Sequence, residues 1–292
     1  LWSEAHYKKL EEFDGSKMAD IITKLKKGYI PTKSMQHSIP DGLAETLEKE
    51  LGSTWENEMI ALNEQAPTVL RANTLRTTPT DLVGELKEEG VNAFTLPNYP
   101  YDVPLEEKKN VFLTTAFKEG LFEVQDASSQ KIAQLLQVKE GLRVVDVCAG
   151  AGGKTLHLAA MMQNKGQIIA LDIFQWKLAE LKRRAKRAGA HNIETRLIDD
   201  SKVIKRLHNS ADRLLIDAPC SGLGVLKRNP DSKWKIDQNF IDRIVKEQEQ
   251  ILQDYSKIIK KGGLMIYATC SILPSENEVQ VQKFLTNNPN YS

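Results

Sequence analysis

Short apolar runs alternate with amphipathic stretches through the second half of the chain. The runs have the length and the Val, Ile and Leu content of buried strands, and the stretches between them space their apolar residues as a helix does. The predicted strands are 142–147, 167–171, 193–198, 213–216 and 264–268, and the predicted helices are 154–162, 175–188 and 239–259. This alternation predicts an α/β fold with a doubly wound, mostly parallel sheet.

The first 123 residues divide into two parts that differ in hydrophobic pattern and in predicted secondary structure. Residues 1–67 are polar, and the stretch 43–62 has apolar residues at helical spacing after the start signals Pro40 and Asp41. Residues 68–123 predict a strand at 68–74, a helix at 80–90, a strand at 91–96 and a loop at 97–109. We therefore expect a helical segment at 1–67, a small α/β module at 68–123 and a larger α/β domain at 124–292.

Composition narrows the class of protein. With 41% apolar, 7% aromatic and 27% charged residues, the chain is neither collagen-like, disordered nor a disulfide scaffold. The sequence has no run long enough for a membrane-spanning helix, and no signal-peptide pattern. Three cysteines without CxxC spacing argue against structural disulfides and a zinc site, so we expect a cytoplasmic protein without a bound metal.

Charge is distributed unevenly along the chain. Residues 1–130 hold 14 Lys+Arg and 22 Asp+Glu, a balance of −8, whereas residues 131–292 hold 26 and 17, a balance of +9. A basic half is consistent with a polyanionic partner, although chance segregation between two domains gives the same pattern.

A glycine-rich turn follows the first strand of the large domain. The segment from Asp146 to Thr155 reads DVCAGAGGKT, but it lacks the first glycine of a P-loop and the third of a dinucleotide fingerprint. An acid, three residues and then Gly-x-Gly is typical of S-adenosylmethionine sites, since the backbone can approach the ligand closely. The alternative is a tight strand-to-helix turn with no ligand.

Acidic residues end the next two strands. Asp172, 20 residues after Gly152, is placed to accept the two ribose hydroxyls of a nucleoside, and Asp199–Asp200 is placed for its adenine end. Single acids at strand ends are often only helix caps, but three in register with a glycine-rich turn favour a ligand.

All three cysteines lie at predicted strand ends, where a doubly wound sheet builds its sites. Cys148 lies inside the glycine-rich turn, where we expect its side chain only to fill space. Cys220 and Cys270 follow two strands that we expect to be neighbours, which places both thiols beside the cofactor, although a lone cysteine is by default a buried structural residue. A thiolate that adds to C6 of a pyrimidine makes C5 able to attack a sulfonium methyl group, and Asp217 is placed to contact the N3–N4 edge of cytosine. The residues alone leave open which of the two cysteines attacks.

Four motifs in order resemble the Sun/Fmu/nucleolar-protein family of RNA cytosine-5 methyltransferases: FEVQDASSQ, VVDVCAGAGGKT, IDAPCSGLGVLKRNPDSKW and KKGGLMIYATCSILPSEN. The resemblance implies a Rossmann-like S-adenosylmethionine methyltransferase sheet and an RRM-like accessory module that binds RNA. It assigns the nucleophile to Cys270 and product release to Cys220. The cofactor contacts that it implies are Cys148, Ala149, Gly150, Ala151, Gly152, Gly153, Lys154, Asp172, Asp199 and Asp217. It further implies 5-methylcytidine as the product, in small-subunit ribosomal RNA first and transfer RNA second.

The chain departs from the family pattern at three places. Ala151 stands where many relatives have proline, which predicts a looser turn, and Asp200 follows Asp199 where relatives often have glycine or alanine. The chain also ends at Ser292, before the final strands expected of such a sheet, so we expect both ends to be trimmed.

Two basic segments are candidates for RNA contact: the helix 177–187, and the loop 227–234 after the Pro-Cys motif. A solvated helix face is the alternative for the first. An adenine or protein-amine methyltransferase would need no thiols, and the NPPY-like motif of adenine chemistry is absent after Ile216. A non-catalytic RNA-binding or ribosome-assembly factor with this fold remains the alternative from another class. We expect a monomer.

Overall fold

A five-stranded and a three-stranded sheet organise residues 31–292, the part of the chain that the computed structural model describes. The first half of the predicted helical segment 1–67 lies outside the described residues. The strands are β1 Val69–Ala72, β2 Asp102–Pro104, β3 Phe122–Val124, β4 Arg143–Val147, β5 Gln167–Asp172, β6 Ile193–Leu197, β7 Ala211–Asp217 and β8 Ile259–Ala268. The α-helices are α1 Lys33–Gln36, α2 Asp41–Leu51, α3 Trp55–Asn63, α4 Pro79–Glu88, α5 Thr115–Lys118, α6 Ala127–Leu135, α7 Gly153–Met161, α8 Gln175–Ala188, α9 Ser201–Lys205, α10 Gln238–Tyr255 and α11 Glu278–Asn287.

The larger sheet has the strand order β6-β5-β4-β7-β8, and every neighbouring pair is parallel. Alternate residues of its central strand point into different cores: Val144 belongs to the cluster that includes α7 and α8, and Val145 to the cluster that includes α10. The doubly wound parallel sheet predicted from the alternating pattern is therefore confirmed. Helix α10 stops at Tyr255, before the predicted end at 259, and a 3₁₀ turn leads into β8.

Two helices near the start of the described chain pack against the larger domain. The stretch 43–62, predicted to be helical, forms two helices, because Gly52 adopts a φ of 59° and separates α2 from α3 through a 3₁₀ turn. Leu47, Trp55 and Met59 from these helices form one apolar cluster with Leu223 and Leu273 of the larger domain. Within residues 31–292, no helix is both long and apolar enough to cross a membrane.

The small module is an antiparallel sheet of order β2-β1-β3 covered by α4. The predicted strand at 91–96 is wrong: this segment makes only two isolated bridges, Ala93 to Leu105 and Leu96 to Tyr99. The strand that pairs with β1 is instead β2, inside the segment 97–109 predicted as a loop. The α/β character of the module is as predicted, but one of its strands lies about ten residues further along the chain, and β3, which also pairs with β1, was not predicted.

Candidate active site

The glycine-rich turn between β4 and α7 is narrow and tightly packed. Cys148, Gly150 and Gly152 have φ values of 60°, 57° and 85°, so the chain passes three times through the left-handed region. A Cβ on Gly152 would lie 2.5 Å from Cγ of Leu181 in α8, so only glycine fits where the turn meets this helix. Burial raises the pKa of the Cys148 thiol, which keeps it neutral and agrees with its interpretation as steric filling.

Side chains from outside the turn hold two of its carbonyl groups. Arg184 Nη1 donates to the carbonyl of Ala151 at 2.7 Å, and Arg71 of β1 donates to that of Gly153. Glu123 of β3 in turn accepts from Arg184 at 2.8 Å and from Arg187. These bonds restrain the residue at which the sequence predicts a looser turn, and they connect the small module directly to the candidate cofactor loop.

Glu123→Gln is expected to lower both the stability of the fold and the affinity for S-adenosylmethionine. The Glu123 side chain is only 5% exposed, and its loss would leave two mostly buried guanidinium groups unpaired, at a cost on the order of 3 kcal/mol. Urea unfolding and calorimetric titration of the cofactor measure the two effects. Glu180→Gln is the matched control, since Glu180 pairs with Arg183, an exposed side chain of the same helix. Equal effects of the two substitutions would contradict this role of Glu123.

The acidic residues at the strand ends differ in their burial and in their hydrogen bonds. Asp172 is buried, and its carboxylate accepts from the backbone N–H groups of Gly150 at 2.9 Å and Phe174 at 2.8 Å, which ties β5 to the turn. Asp200 caps α9 by accepting from the N–H of Lys202 at 2.7 Å. Asp199 is exposed and has no hydrogen bond or ion pair to another described residue. Of these two neighbouring acids, Asp199 is therefore the one with a carboxylate available to a ligand.

One further acid lies beneath the turn. Asp146 is 1% exposed, and burial raises the pKa of its carboxyl group to about 7. Thr155 donates to Oδ2 at 2.6 Å, while Oδ1 has no partner in the described chain. An unpartnered buried oxygen below a glycine-rich turn, with the free carboxylate of Asp199 at the same sheet edge, fits a nucleoside cofactor that carries an amino group.

The two thiols meet, as predicted from the expected order of strands. Cys220 follows β7 and Cys270 follows β8, and their sulfur atoms are 3.0 Å apart. The backbone N–H of Cys270 also donates to Sγ of Cys220 at 3.2 Å. Cys270 is exposed, whereas Cys220 is partly buried, so Cys270 is the more accessible to a substrate.

The contact makes the two cysteines chemically unequal. The hydrogen bond between the two thiols lowers the pKa of Cys270 below its ordinary value; burial and the carboxylate of Asp217 oppose this shift, and the cation of Lys154 supports it. The same hydrogen bond, together with burial, raises the pKa of Cys220. Lys154 itself is paired with Asp217 at 2.6 Å, which brings another predicted site residue next to the thiols. Cys270 is thus favoured as the thiolate and Cys220 as the donor that stabilises it.

Cys220→Ala is expected to raise the pKa of Cys270, because the substitution removes the hydrogen bond that stabilises the thiolate. Alkylation of Cys270 by iodoacetamide should then reach half its maximal rate at a higher pH than in the unsubstituted protein. Peptide mass spectrometry after timed alkylation at several pH values separates Cys270 from the other thiols. Cys220→Ser, which keeps a donor, should shift the midpoint less, and an unchanged midpoint in both variants would contradict the unequal roles.

Sequence reasoning missed one residue behind these loops. Glu276 is fully buried and accepts hydrogen bonds from Ser221 and Ser271, the residues that follow the two cysteines. It lies inside the quoted SILPSEN motif, but only the three-dimensional structure brings together partners from residues 221, 248 and 271.

Most of the cations predicted to face RNA already have partners within the chain. The pairs are Arg183–Glu180, Arg184–Glu123, Arg187–Glu123, Lys227–Glu64 and Arg228–Asp126, and Lys233 donates to Asn63 at 3.2 Å. Lys233 is 7% exposed. On α8, the exposed lysines Lys182 and Lys186 have no ion pair with another described residue. The loop 227–234 thus fastens the helical segment to the larger domain, a structural role that the sequence does not reveal.

Comparisons with known proteins agree with this arrangement. The family model for the 16S rRNA methyltransferase RsmB/F matches residues 133–292, and that for an RsmF/B-like ferredoxin-like domain matches residues 39–112. A probable ribosomal RNA small subunit methyltransferase B of Synechocystis sp. is 35% identical over 253 residues, which are 86% of this chain and 57% of that protein. The ribosomal RNA small subunit methyltransferase B of Klebsiella pneumoniae strain 342 is 36% identical over 251 residues, which are 86% of this chain and 58% of that protein.

Solved structures share the fold over most of the chain. The crystal structure of PH0851 aligns with a TM-score of 0.83 and 31% identity, covering 89% of this chain and 61% of that one. NSun6 from Pyrococcus horikoshii with SFG aligns with a TM-score of 0.77 and 22% identity, covering 85% of this chain and 87% of that one. The chain thus spans little more than half the length of the curated relatives named above, and its second half is matched by a family model to its last residue. It belongs to the RsmB/F family of 16S rRNA methyltransferases, whose members use S-adenosylmethionine.

Proposed function

We propose that this chain methylates C5 of a cytosine in small-subunit ribosomal RNA, through a covalent bond between Cys270 and C6 of the base. The pair of thiols carries the proposal: an exposed Cys270, its pKa lowered by the Cys220 thiol at 3.0 Å, lies beside the turn suited to the cofactor. Methyl transfer to an amine or a hydroxyl group needs no cysteine nucleophile.

The residues proposed to hold S-adenosylmethionine surround the glycine-rich turn. We assign the ribose to Asp172, the adenine edge to Asp199 and the amino-acid end to the turn 148–154, where α7 begins. When bound, the cofactor supplies a sulfonium methyl group. Arg184 and Arg71 hold the turn by its carbonyls, so the small module keeps the cofactor loop in a fixed geometry.

In the first step of the proposed reaction, the thiolate of Cys270 forms a bond to C6 while the C5–C6 π electrons move toward C5. We assign to Asp217 the hydrogen bond from the N4 amino group of cytosine, because only Oδ2 of its carboxylate is taken by Lys154 and Oδ1 can accept it. After C5 has gained the methyl group, a base removes the C5 proton, the C5–C6 double bond re-forms and Cys270 leaves as a thiolate. We assign assistance in this last step to Cys220.

The substrate is proposed from the family and from charge. The curated relatives are named as ribosomal RNA small subunit methyltransferases, and residues 131–292 carry a balance of +9, which suits a polyanion. The target cytosine must be unpaired or flipped out of a helix for Cys270 to reach C6 of its ring. Transfer RNA is the second candidate substrate.

The test uses the protein, radiolabelled S-adenosylmethionine and ribosomal RNA from cells that lack the enzyme, followed by nucleoside analysis. Label in 5-methylcytidine is the expected result, with transfer RNA as the comparison substrate. Label in another nucleoside would overturn the role of the thiols. Cofactor and RNA binding without any transfer would support a non-catalytic RNA-binding or assembly factor instead.

A further inference from the structure

We infer that Glu276 is a positioning residue that sets the distance between the two reactive thiols. This inference rests on the proposed function, because it concerns how Cys270 and Cys220 act in turn on one base. Glu276 ends the 3₁₀ turn Pro274–Glu276, is 0% exposed and has both carboxylate oxygens bonded inside the protein.

The loop that carries Cys220 is tied to this carboxylate on both sides of the cysteine. The residue after it, Ser221, donates its backbone N–H to Oε2 of Glu276 at 2.8 Å and its hydroxyl to Oε1. The residue before it, Pro219, is held indirectly: Nε2 of Gln248 donates to the Pro219 carbonyl at 2.9 Å and to Oε2 of Glu276 at 2.8 Å.

The loop that carries Cys270 is tied in the same way. Ser271 donates its hydroxyl to Oε1 of Glu276, and the two serine hydroxyls are 3.1 Å apart. The neighbouring Asn277 holds the backbone around this cysteine, because Thr269 donates to its Oδ1 and its Nδ2 donates to the Ser271 carbonyl at 3.1 Å. The residues on both sides of each cysteine therefore converge on Glu276, Asn277 and Gln248.

The chemistry of this position requires a carboxylate. Four donor groups converge on Glu276, two at each oxygen, and a carboxylate has four acceptor sites and no donor. An amide would offer only one oxygen, so two of these donors would have to turn away or accept instead. The strands alone place the cysteines beyond the ends of neighbouring strands, but contact between sulfur atoms at 3.0 Å also requires that the two loops do not drift apart.

Glu276→Gln tests the inference because a change in loop position and the loss of a negative charge would shift the pKa of Cys270 in opposite directions. Removal of a negative charge near Cys270 would by itself lower the pKa of this thiol. Loosening of the two loops would weaken the hydrogen bond from Cys220 and raise it. We expect the pH midpoint of Cys270 alkylation to move up, and kcat for methyl transfer to fall about 10- to 100-fold with KM nearly unchanged.

Glu278→Gln is the matched control, since it makes the same chemical change two residues along, at an exposed side chain outside the site. If Glu276→Gln fails to fold, Ser221→Ala and Ser271→Ala each remove one hydroxyl from the cluster and should shift the alkylation midpoint in the same direction. A lower melting temperature with an unchanged midpoint and unchanged kcat would overturn the inference. The alkylation measurement needs no RNA, so it decides the role of Glu276 even if no 5-methylcytidine is formed.

Discussion

Cys270→Ala is expected to abolish methyl transfer while S-adenosylmethionine still binds. In the proposed reaction the thiolate supplies the electron pair that makes C5 of cytosine nucleophilic, and alanine has nothing to replace it, so the rate should fall by at least ~10³-fold. The side chain is exposed, and its removal creates no cavity in the core. The folded state and the cofactor affinity should therefore be close to those of the unsubstituted protein.

Three measurements check this expectation: label transfer from radiolabelled S-adenosylmethionine, calorimetric titration of the cofactor, and thermal unfolding. The covalent protein–RNA species should also be missing on a denaturing gel. Methyl transfer that persists at more than a few per cent in the Cys270→Ala protein, with a normal melting temperature, would move the nucleophile to Cys220.

Cys220→Ala is expected to have a different effect: a protein–RNA adduct that accumulates in the presence of cofactor. In the free protein the hydrogen bond with Cys270 and burial raise the pKa of Cys220, so we expect its thiol to stay protonated. Once Cys270 is bonded to C6 it is no longer a thiolate, so that hydrogen bond stops raising the pKa of Cys220, which can then take part in proton removal from C5. Without this thiol, the bond to C6 should form but break slowly.

A denaturing gel with labelled RNA gives the direct readout, since the adduct survives denaturation and a non-covalent complex does not. The adduct should contain the transferred methyl group, and the double variant lacking both thiols should form none. Adduct in Cys270→Ala and none in Cys220→Ala would reverse the two assignments.

The alternating pattern of the second half predicts the fold well for a physical reason. Strands buried on both faces are short continuous apolar runs, and Val144 and Val145 pack into opposite cores as this pattern requires. Because the carboxyl ends of parallel strands share one edge, the positions of Asp172, Asp217, Cys220 and Cys270 along the sequence were enough to predict that all four lie at that edge of the sheet.

The small module was harder to predict because β2, which pairs with β1, has a sequence with little preference for strand structure. Strand β2 is three residues long, contains a proline, and buries Asp102, whose carboxylate has no hydrogen-bond partner in the described chain. The segment from Val91 offers a better strand pattern but forms only isolated bridges. Tertiary packing, not propensity, decides which of the two segments pairs with β1.

The remaining features that the sequence does not predict depend on contacts between residues that are distant in the sequence. The bonds of Arg228 to Asp126 and of Glu276 to Ser221 join residues 102 and 55 positions apart, so no local pattern predicts them. The sequence therefore predicts that the basic loop 227–234 is available to RNA, whereas in the structure its cations bind residues of the same chain.

The apolar cluster shared by α2, α3 and the two loops that carry Cys220 and Cys270 has a consequence for how this protein folds. Leu223 and Leu273 each lie three residues after one of the reactive cysteines, and both are buried against Leu47, Trp55 and Met59. Helices α2 and α3 thus cover the apolar backs of the loops that carry the thiols, and a methyltransferase domain cut free at residue 124 would expose both. We therefore expect these helices and the two loops to unfold as one cooperative unit. Denaturation should therefore remove the lowered pKa of Cys270 and the helix content of α2 and α3 in one transition.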